Sequence, residues 1–363
     1  MKLQVTQENL SRALSNVARI ASGRNTLPIL SNILIKTTNN RLTIAATNLN
    51  IAITNYIGSK VSEEGAITVP ARLMQEFVSS LPPGVIDISL DDYKLNIKTD
   101  QYQSVINGVS AEEYPVMPAI TKGKKFSVTT SLLKKALTQV IFAAATDESR
   151  PILTGVYIYS LDGQLYMVAT DSYRLAEKML TTASQEVKLL IPASALQDLL
   201  RILPEGEDEV MVTYDDQQIL FKVDDVELVA RLIEGSYPDV RKLIPSEFDV
   251  TASVKRSELL NITKVSSLFA RESAGSITIQ VDDQKNSLSI RSIASQLGEN
   301  TAETMGKIKG SGSITLNSRY LLDGLHALAG EEVMIGFNGK LEPSIIKDPT
   351  DPSYTHVIMP LKS

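Results

Sequence analysis

The chain has 363 residues, 43% of them hydrophobic, a length that anticipates two or three domains with ample cores. It holds no cysteine and two histidines, His326 and His356, which excludes disulfides, zinc–thiolate sites and cysteine nucleophiles and leaves too little imidazole for a histidine-built metal or acid–base centre. A formal charge of 36 − 42 = −6 speaks against a protein that grips nucleic acid by neutralising many phosphates, while leaving room for a local basic surface.

In chain order, an alternating strand, MKLQVT (1–6), runs into an amphipathic helix, NLSRALSNVARIA (9–21), where Leu10, Ala13, Leu14 and Val17 keep the i, i+3, i+4, i+7 spacing of one buried stripe. Strand-rich sequence broken by the turn signal TNNR (38–41) leads to a second strand-to-helix unit, GAITVPARLMQEF (65–77). Pro70 starts that helix, where a missing N–H costs nothing, and PPG (82–84) follows it. The same order returns with KFSVTT (125–130), the helix SLLKKALTQVIFAA (131–144), the turn LDGQ (161–164), VKLLIPASALQDL (187–199) and PEG (204–206). It returns again with FDVTAS (248–253), SELLNITKVSSLFA (257–270), DDQKN (282–286) and GSITLNSRYLLDG (312–324). No run of about 18 apolar residues occurs, so no membrane span is expected. The opening MKLQVTQENL lacks the apolar block of a signal peptide, so a cytoplasmic protein is expected.

The likeness between copies extends to residue identity. VPARLMQEFVSSLPPG (69–84) and IPASALQDLLRILPEG (191–206) share six positions, among them Pro70/Pro192 and Gly84/Gly206, at an offset of 192 − 70 = 122. Pro28-Ile29-Leu30 matches Pro151-Ile152-Leu153 at 151 − 28 = 123, and Ala46-Thr47/Ala169-Thr170 and Tyr114-Pro115/Tyr237-Pro238 repeat that 123. Such an offset is too long for a solenoid repeat and suits a whole domain. In a more diverged third copy Leu321, Leu325 and Leu328 fall where Leu196, Leu200 and Leu203 do. The reading is an α+β chain of three similar domains, residues 1–122, 123–246 and 247–363, each with two βα units, antiparallel sheet and helices on one face.

A search for catalytic chemistry returns little. There is no P-loop, GxGxxG, GxSxG or HExxH, and GSGS (310–313) reads as the turn before SITLN. Asp171 in ATDSYR has Asn48 at its place in the first copy, so a strand-end turn explains both. Arg12, Arg24, Arg72, Lys135, Arg201 and Arg319 lie on or beside helices that also carry Glu8, Glu76, Asp198 and Asp323, as solvated faces do.

At ATDSYRLA, EGSYPDVRKLIP and VIMPL the chain resembles the bacterial DNA polymerase III β subunit, the sliding-clamp family. The resemblance covers the whole chain, including RNTLPIL near the start and VPA before the second helix. It implies the DNA clamp fold, in which two protomers join head to tail and close a ring around duplex DNA, with helices lining the channel. It implies a processivity factor, not an enzyme. The partners would be duplex DNA without sequence preference, a second copy as homodimer, the α subunit of the replicative polymerase, the clamp loader, and other polymerases and repair proteins that offer short hydrophobic peptides. No catalytic residue, metal or cofactor is implied. A repeat-built adaptor that binds peptides without encircling DNA is the alternative.

The family's peptide pocket, between the second and third domains, carries over to Leu153, Thr170, Ser172, Tyr173, Arg174, Leu175, Pro238, Lys242 and Leu243. From the third domain it takes Asn317, Tyr320, Leu341, Pro343, Val357, Met359, Pro360 and Leu361. The chain departs from the family's frequent Gly-His at Ser172-Tyr173 and in closing on MPLKS, and both departures bear on peptide preference. Arg24, Arg72 and Arg201 are the expected DNA-facing cations, and Leu268 and Phe269 the expected ring interface.

Overall fold

The computed structural model describes residues 1–21, 27–296 and 298–361. The first copy runs β1 (Lys2–Thr6), α1 (Gln7–Ala21), β2 (Asn32–Thr38), β3 (Arg41–Thr47), β4 (Ile51–Gly58), β5 (Lys60–Glu63), β6 (Gly65–Pro70), α2 (Ala71–Ser80), β7 (Val85–Asp91), β8 (Lys94–Lys98) and β9 (Gln103–Asn107). The second repeats this order without the short β5: β10 (Lys124–Thr129), α3 (Thr130–Val140), β11 (Gly155–Leu161), β12 (Gln164–Thr170), β13 (Arg174–Thr182), β14 (Lys188–Pro192), α4 (Ala193–Ile202), β15 (Glu209–Tyr214), β16 (Gln218–Val223) and β17 (Val226–Arg231). The third matches it: β18 (Val250–Lys255), α5 (Arg256–Phe269), β19 (Ser276–Asp282), β20 (Ser287–Ala294), β21 (Gly298–Lys309), β22 (Gly312–Asn317), α6 (Ser318–Ala327), β23 (Glu332–Phe337), β24 (Ser344–Lys347) and β25 (Tyr354–Ile358).

Local sequence explains these elements. On α1, Leu10, Ala13, Leu14 and Val17 are buried, and the helix packs on β3, β4 and α2. Burial of each large side chain in that stripe contributes about 1.5–3 kcal/mol. Period-two alternation sets the strands: Leu3 and Val5 of β1 point inward between exposed neighbours. The turn residues take the left-handed conformations that tight hairpins need, with φ of 51° and 59° at Asn39 and Asn40 and of 50° and 73° at Asp162 and Gly163. Gly84 and Gly206, which close the two matching phrases, both hold positive φ, 154° and 148°. The helix expected to run to residue 144 stops at Val140 and tightens into a 3-10 turn over Ile141–Ala143.

Contacts divide the chain into two compact units, residues 1–131 with 197–232, and residues 132–196 with 233–363. The first unit contains a five-stranded sheet, β5-β1-β7-β8-β9, and an eight-stranded sheet, β10-β15-β16-β17-β4-β3-β2-β6. The second contains a twelve-stranded sheet, β14-β11-β12-β13-β25-β24-β23-β18-β21-β20-β19-β22. Each large sheet joins strands of neighbouring copies: Ile51 of β4 lies opposite Ala230 of β17, and Arg174 of β13 opposite Ile358 of β25. Among the described residues, no helix is long and apolar enough to cross a membrane.

Candidate partner-binding pocket

The site in the second unit begins at the corner between β12 and β13. Thr170 Oγ1 donates to Arg174 O (2.6 Å) and accepts from Ser172 N (3.1 Å). Asp171 Oδ1 accepts from the amides of Tyr173 (2.9 Å) and Arg174 (3.0 Å). These bonds let the chain reverse with Ser172 at φ 77°, a conformation that non-glycine residues adopt rarely. Thr170 N donates to the Tyr237 hydroxyl at 3.0 Å, which ties the corner to the segment leaving β17. The corner leaves Tyr173 61% exposed and Arg174 9% exposed.

Arg174 organises the floor. Its Nε donates to Asp171 Oδ2 (3.0 Å), its Nη2 to Phe142 O (2.6 Å) and its Nη1 to Asp323 of α6. The guanidinium also lies over the Tyr320 and Phe142 rings, at 4.6 Å and 5.3 Å from their centroids. A charge this deep persists because two carboxylates and a carbonyl compensate its lost hydration. Beneath it His356 is fully buried against the Phe142 ring (5.5 Å between centroids). Burial, reinforced by the Arg174 charge, pushes that imidazole down to about 3, so it is a neutral core group.

A cleft of about 390 Å³ opens above this floor. Of the residues expected from sequence, it brings together Leu153, Tyr173, Arg174 and Tyr320, and it adds Arg150 and Arg319, which sequence reading had not placed in the pocket. Arg150 donates to Ser172 Oγ at 3.1 Å. Leu175 and Val357 face each other across β13 and β25, both 2% exposed, and pack with Val168, Val240 and Ile345 into a core cluster under the site. Thr170 is buried with them. Past β25 the chain stays anchored, because Met359 N donates to Tyr173 O (2.8 Å) and Leu361 N to Thr315 O (2.8 Å). Met359, Pro360 and Leu361 remain half-exposed along this track.

Pro238, Lys242 and Leu243 flank Val240, whose side chain anchors their segment in the cluster. That segment is further held by stacked rings, Tyr237 on Tyr157 (5.1 Å) and Tyr157 on Tyr159 (5.3 Å), and by Arg241, which pairs with Glu177 at 3.0 Å. Burial pushes the Tyr159 and Tyr237 hydroxyls up, so both stay protonated, Tyr159 donating to Glu177 and Tyr237 accepting from Thr170 N. Lys242 points outward and pairs with Asp239, and Leu243 is 46% exposed. Asn317 caps α6 by accepting from Arg319 N and donates to Ala274 O, so its side chain is engaged in the backbone. Pro343 is half-buried just before β24, while Leu341 is 71% exposed. A second tie lies at Lys178, fully buried, which donates to Asp351 (2.8 Å) alongside Lys135 (2.8 Å). Burial pushes the Asp351 carboxyl up, but bonds from Lys135, Lys178 and Ser353 hold it well below the usual carboxylate range.

The basic residues differ among themselves. Arg24 lies outside the described residues. Arg72 is exposed on α2 and pairs with Glu76 at 2.8 Å; Arg201 on α4 pairs with Asp198 at 2.9 Å. Asp198 also takes Arg19 (3.4 Å), and burial pushes its carboxyl up against the pull of both cations. On α5, Leu268 is 48% exposed and Val265 46%, one turn apart, with Phe269 half-buried beside them. Strand β9 ends its sheet, with Val105 and Tyr102 exposed beside that edge.

Three family models match the chain in order: the DNA polymerase III beta subunit N-terminal domain over residues 1–118, its central domain over 127–239 and its C-terminal domain over 241–362. The beta sliding clamp of Bacillus subtilis (strain 168) is 30% identical over 377 residues, spanning 100% of both chains, and that of Staphylococcus aureus is 28% identical over 376 residues with the same coverage. Among solved structures, the sliding clamp of Bacillus subtilis superposes with a TM-score of 0.95 at 28% identity over 100% of this chain and 99% of that one. A sliding clamp from Pseudomonas aeruginosa bound to griselimycin superposes with a TM-score of 0.94 at 25% identity over 100% of each.

Proposed function

The chain belongs to the DNA polymerase III beta-subunit family and is a DNA polymerase processivity factor acting in replication, and from that premise we propose how it works: two protomers close head to tail around duplex DNA, and the 170–174 corner holds short apolar peptides of its partners. The full-length match of three family domains in order carries the reading. The domains run 1–122, 123–246 and 247–363, and the chain tethers without catalysing. A ring linked topologically to DNA need not bind it tightly, which suits a net charge of −6. The replicative polymerase α subunit, other polymerases and repair proteins would share the pocket, and a clamp loader would supply the ATP-driven opening. A cleft in which Ala144, Ala145 and Leu153 lie beside Tyr173, Tyr320 and three arginines, next to the half-exposed Met359–Leu361 track, supports capture of a peptide by apolar and polar contacts together.

The deciding experiment loads the protein onto nicked circular DNA with its clamp loader. Retention on the circle and loss on linearisation are expected. Equal loss from both substrates returns the chain to a peptide-binding adaptor.

Two further outcomes follow from the expected interface and DNA-facing residues. Leu268→Ala with Phe269→Ala should weaken the dimer about tenfold or more, because apolar anchors carry most interface energy. An unaltered sedimentation profile removes the pair from the interface. Reversing Arg24, Arg72 and Arg201 to Glu should lower the slope of log affinity against log salt by up to about three units, roughly one per phosphate contact. The Glu76 and Asp198 pairs compete with phosphate and reduce that figure. A slope identical to the unmodified protein's withdraws these residues from DNA.

A further inference from the structure

The corner that borders the pocket is built twice. Between β3 and β4, Thr47 Oγ1 donates to Ile51 O (3.0 Å) and accepts from Leu49 N (3.0 Å). Asn48 Oδ1 accepts from the amides of Asn50 (3.1 Å) and Ile51 (2.8 Å), and Thr47 N donates to the Tyr114 hydroxyl (3.2 Å). Each bond has its counterpart at 170–174 and Tyr237, with the same offset, 170 − 47 = 237 − 114 = 123. Leu49 takes φ 74° where Ser172 takes 77°. At the end of β17, Arg231 N donates to Asn50 O (2.9 Å), as Met359 N, just past β25, does to Tyr173 O (2.8 Å). Arg231 therefore takes in the first unit the place of Met359 in the second.

This first corner borders a cavity of about 190 Å³, lined among others by Leu49, Pro115, Val116, Val229, Gln218 and Arg231. A dry cavity of about 150 Å³ accepts a benzene ring, so this one has room for a single aromatic or branched aliphatic side chain. Leu49 and Val116 stand 47% and 94% exposed at its rim. A leucine held at left-handed φ costs about 1–2 kcal/mol, which burial in a core does not offset here. Gln218 Oε1 is buried with no hydrogen-bond partner among the described residues. Arg231 is the only ionisable lining residue, and among the described residues its guanidinium has no ion pair.

We propose that this cavity is a second peptide pocket, which takes an extended segment of a partner protein with an apolar side chain beside a carboxylate. The apolar group fills the space between Leu49 and Val116, an N–H of the segment satisfies Gln218 Oε1, and the carboxylate pairs with Arg231. The two pockets share the corner and differ in the rest of their lining: the smaller one has Arg231 where the 170–174 corner has Met359, and no carboxylate lines it. The proposal rests on reading the 170–174 corner as a peptide pocket, and the test separates the two claims.

The probe is an acetylated, fluorescein-labelled decapeptide carrying Leu-Phe between two aspartates, titrated calorimetrically into full-length protein. The expected result is two sites per chain. Arg231→Glu, or independently Val116→Glu at a nearly fully exposed position, should weaken one site about tenfold or more, and Arg231→Lys should retain it. Replacing the aspartates of the probe by asparagine should weaken the same site. Deleting residues 359–363 should remove the other. Two sites unaffected by both glutamate substitutions, or one site removed by the deletion alone, overturns the second pocket. Loss of a site in Arg231→Glu with none lost on deletion keeps the second pocket and overturns the first.

Discussion

Removing residues 359–363 is expected to abolish binding of apolar partner peptides while leaving the chain folded. Val357 and Ile358, 2% and 0% exposed, stay in β25 and keep the core cluster closed. Of the deleted segment, the described residues 359–361 contribute two backbone bonds, Met359 N to Tyr173 O and Leu361 N to Thr315 O, each worth about 1 kcal/mol net. The melting temperature should therefore fall by several degrees at most. Binding should suffer far more. Met359 is a flexible, polarisable side chain that can meet differing peptides, and Pro360 restrains the backbone and lowers the ordering cost of capture. Loss of Met and Leu anchors costs about 2 kcal/mol each if they are hot spots, on the order of a thousandfold in affinity together. Fluorescence polarisation with a polymerase-derived peptide measures this directly. Unchanged affinity removes the segment from the pocket, and an unfolded variant makes it core.

The contrast between this segment and its surroundings shows what sequence reading reaches. The copies are legible because their anchors are local: a proline before a helix, a glycine after it, and a Thr-Asx corner whose bonds close within five residues. Arg174 is legible as a pocket residue through the family motif, but its partners are not. Asp323 lies 149 residues away, on a helix whose acidic residues read as a solvated face. Asp171 reads as a turn residue and is one, yet its second oxygen also holds Arg174. The sharing of sheets between copies is likewise set by pairings such as Ile51 with Ala230, for which periodicity gives no register. The end of α3 at Val140 reflects a tightening that apolar spacing does not encode.

Arg174→Met is expected to destabilise the second unit by about 3 kcal/mol or more, the largest single-residue stability effect anticipated here. The methionine would fill part of the volume between Phe142 and Tyr320, so a cavity is not the main loss. The cost is electrostatic. Asp171 and Asp323 would face each other's surroundings without their shared cation, and Phe142 O would lose its donor. Truncating one side of such a cluster is worse than never having built it, because the remaining charges stay where water reaches them poorly. Asp323 is 31% exposed on its side chain and recovers some hydration, which keeps the figure at the lower end of the range for a fully buried pair. Arg174→Lys should restore little, since an ammonium cannot form the three directed bonds or lie flat on the rings. Melting should drop by about 2–4 °C per kcal/mol lost for a unit of this size. A variant that melts within 1 °C of the parent (an experimental margin of about 0.3 kcal/mol) would show that this cluster holds the pocket's shape without holding the fold. Adding Asp323→Asn to Arg174→Met separates those roles. Removing one of the two stranded carboxylates should return part of the stability, while the pocket floor, lacking its guanidinium, should still bind peptide weakly.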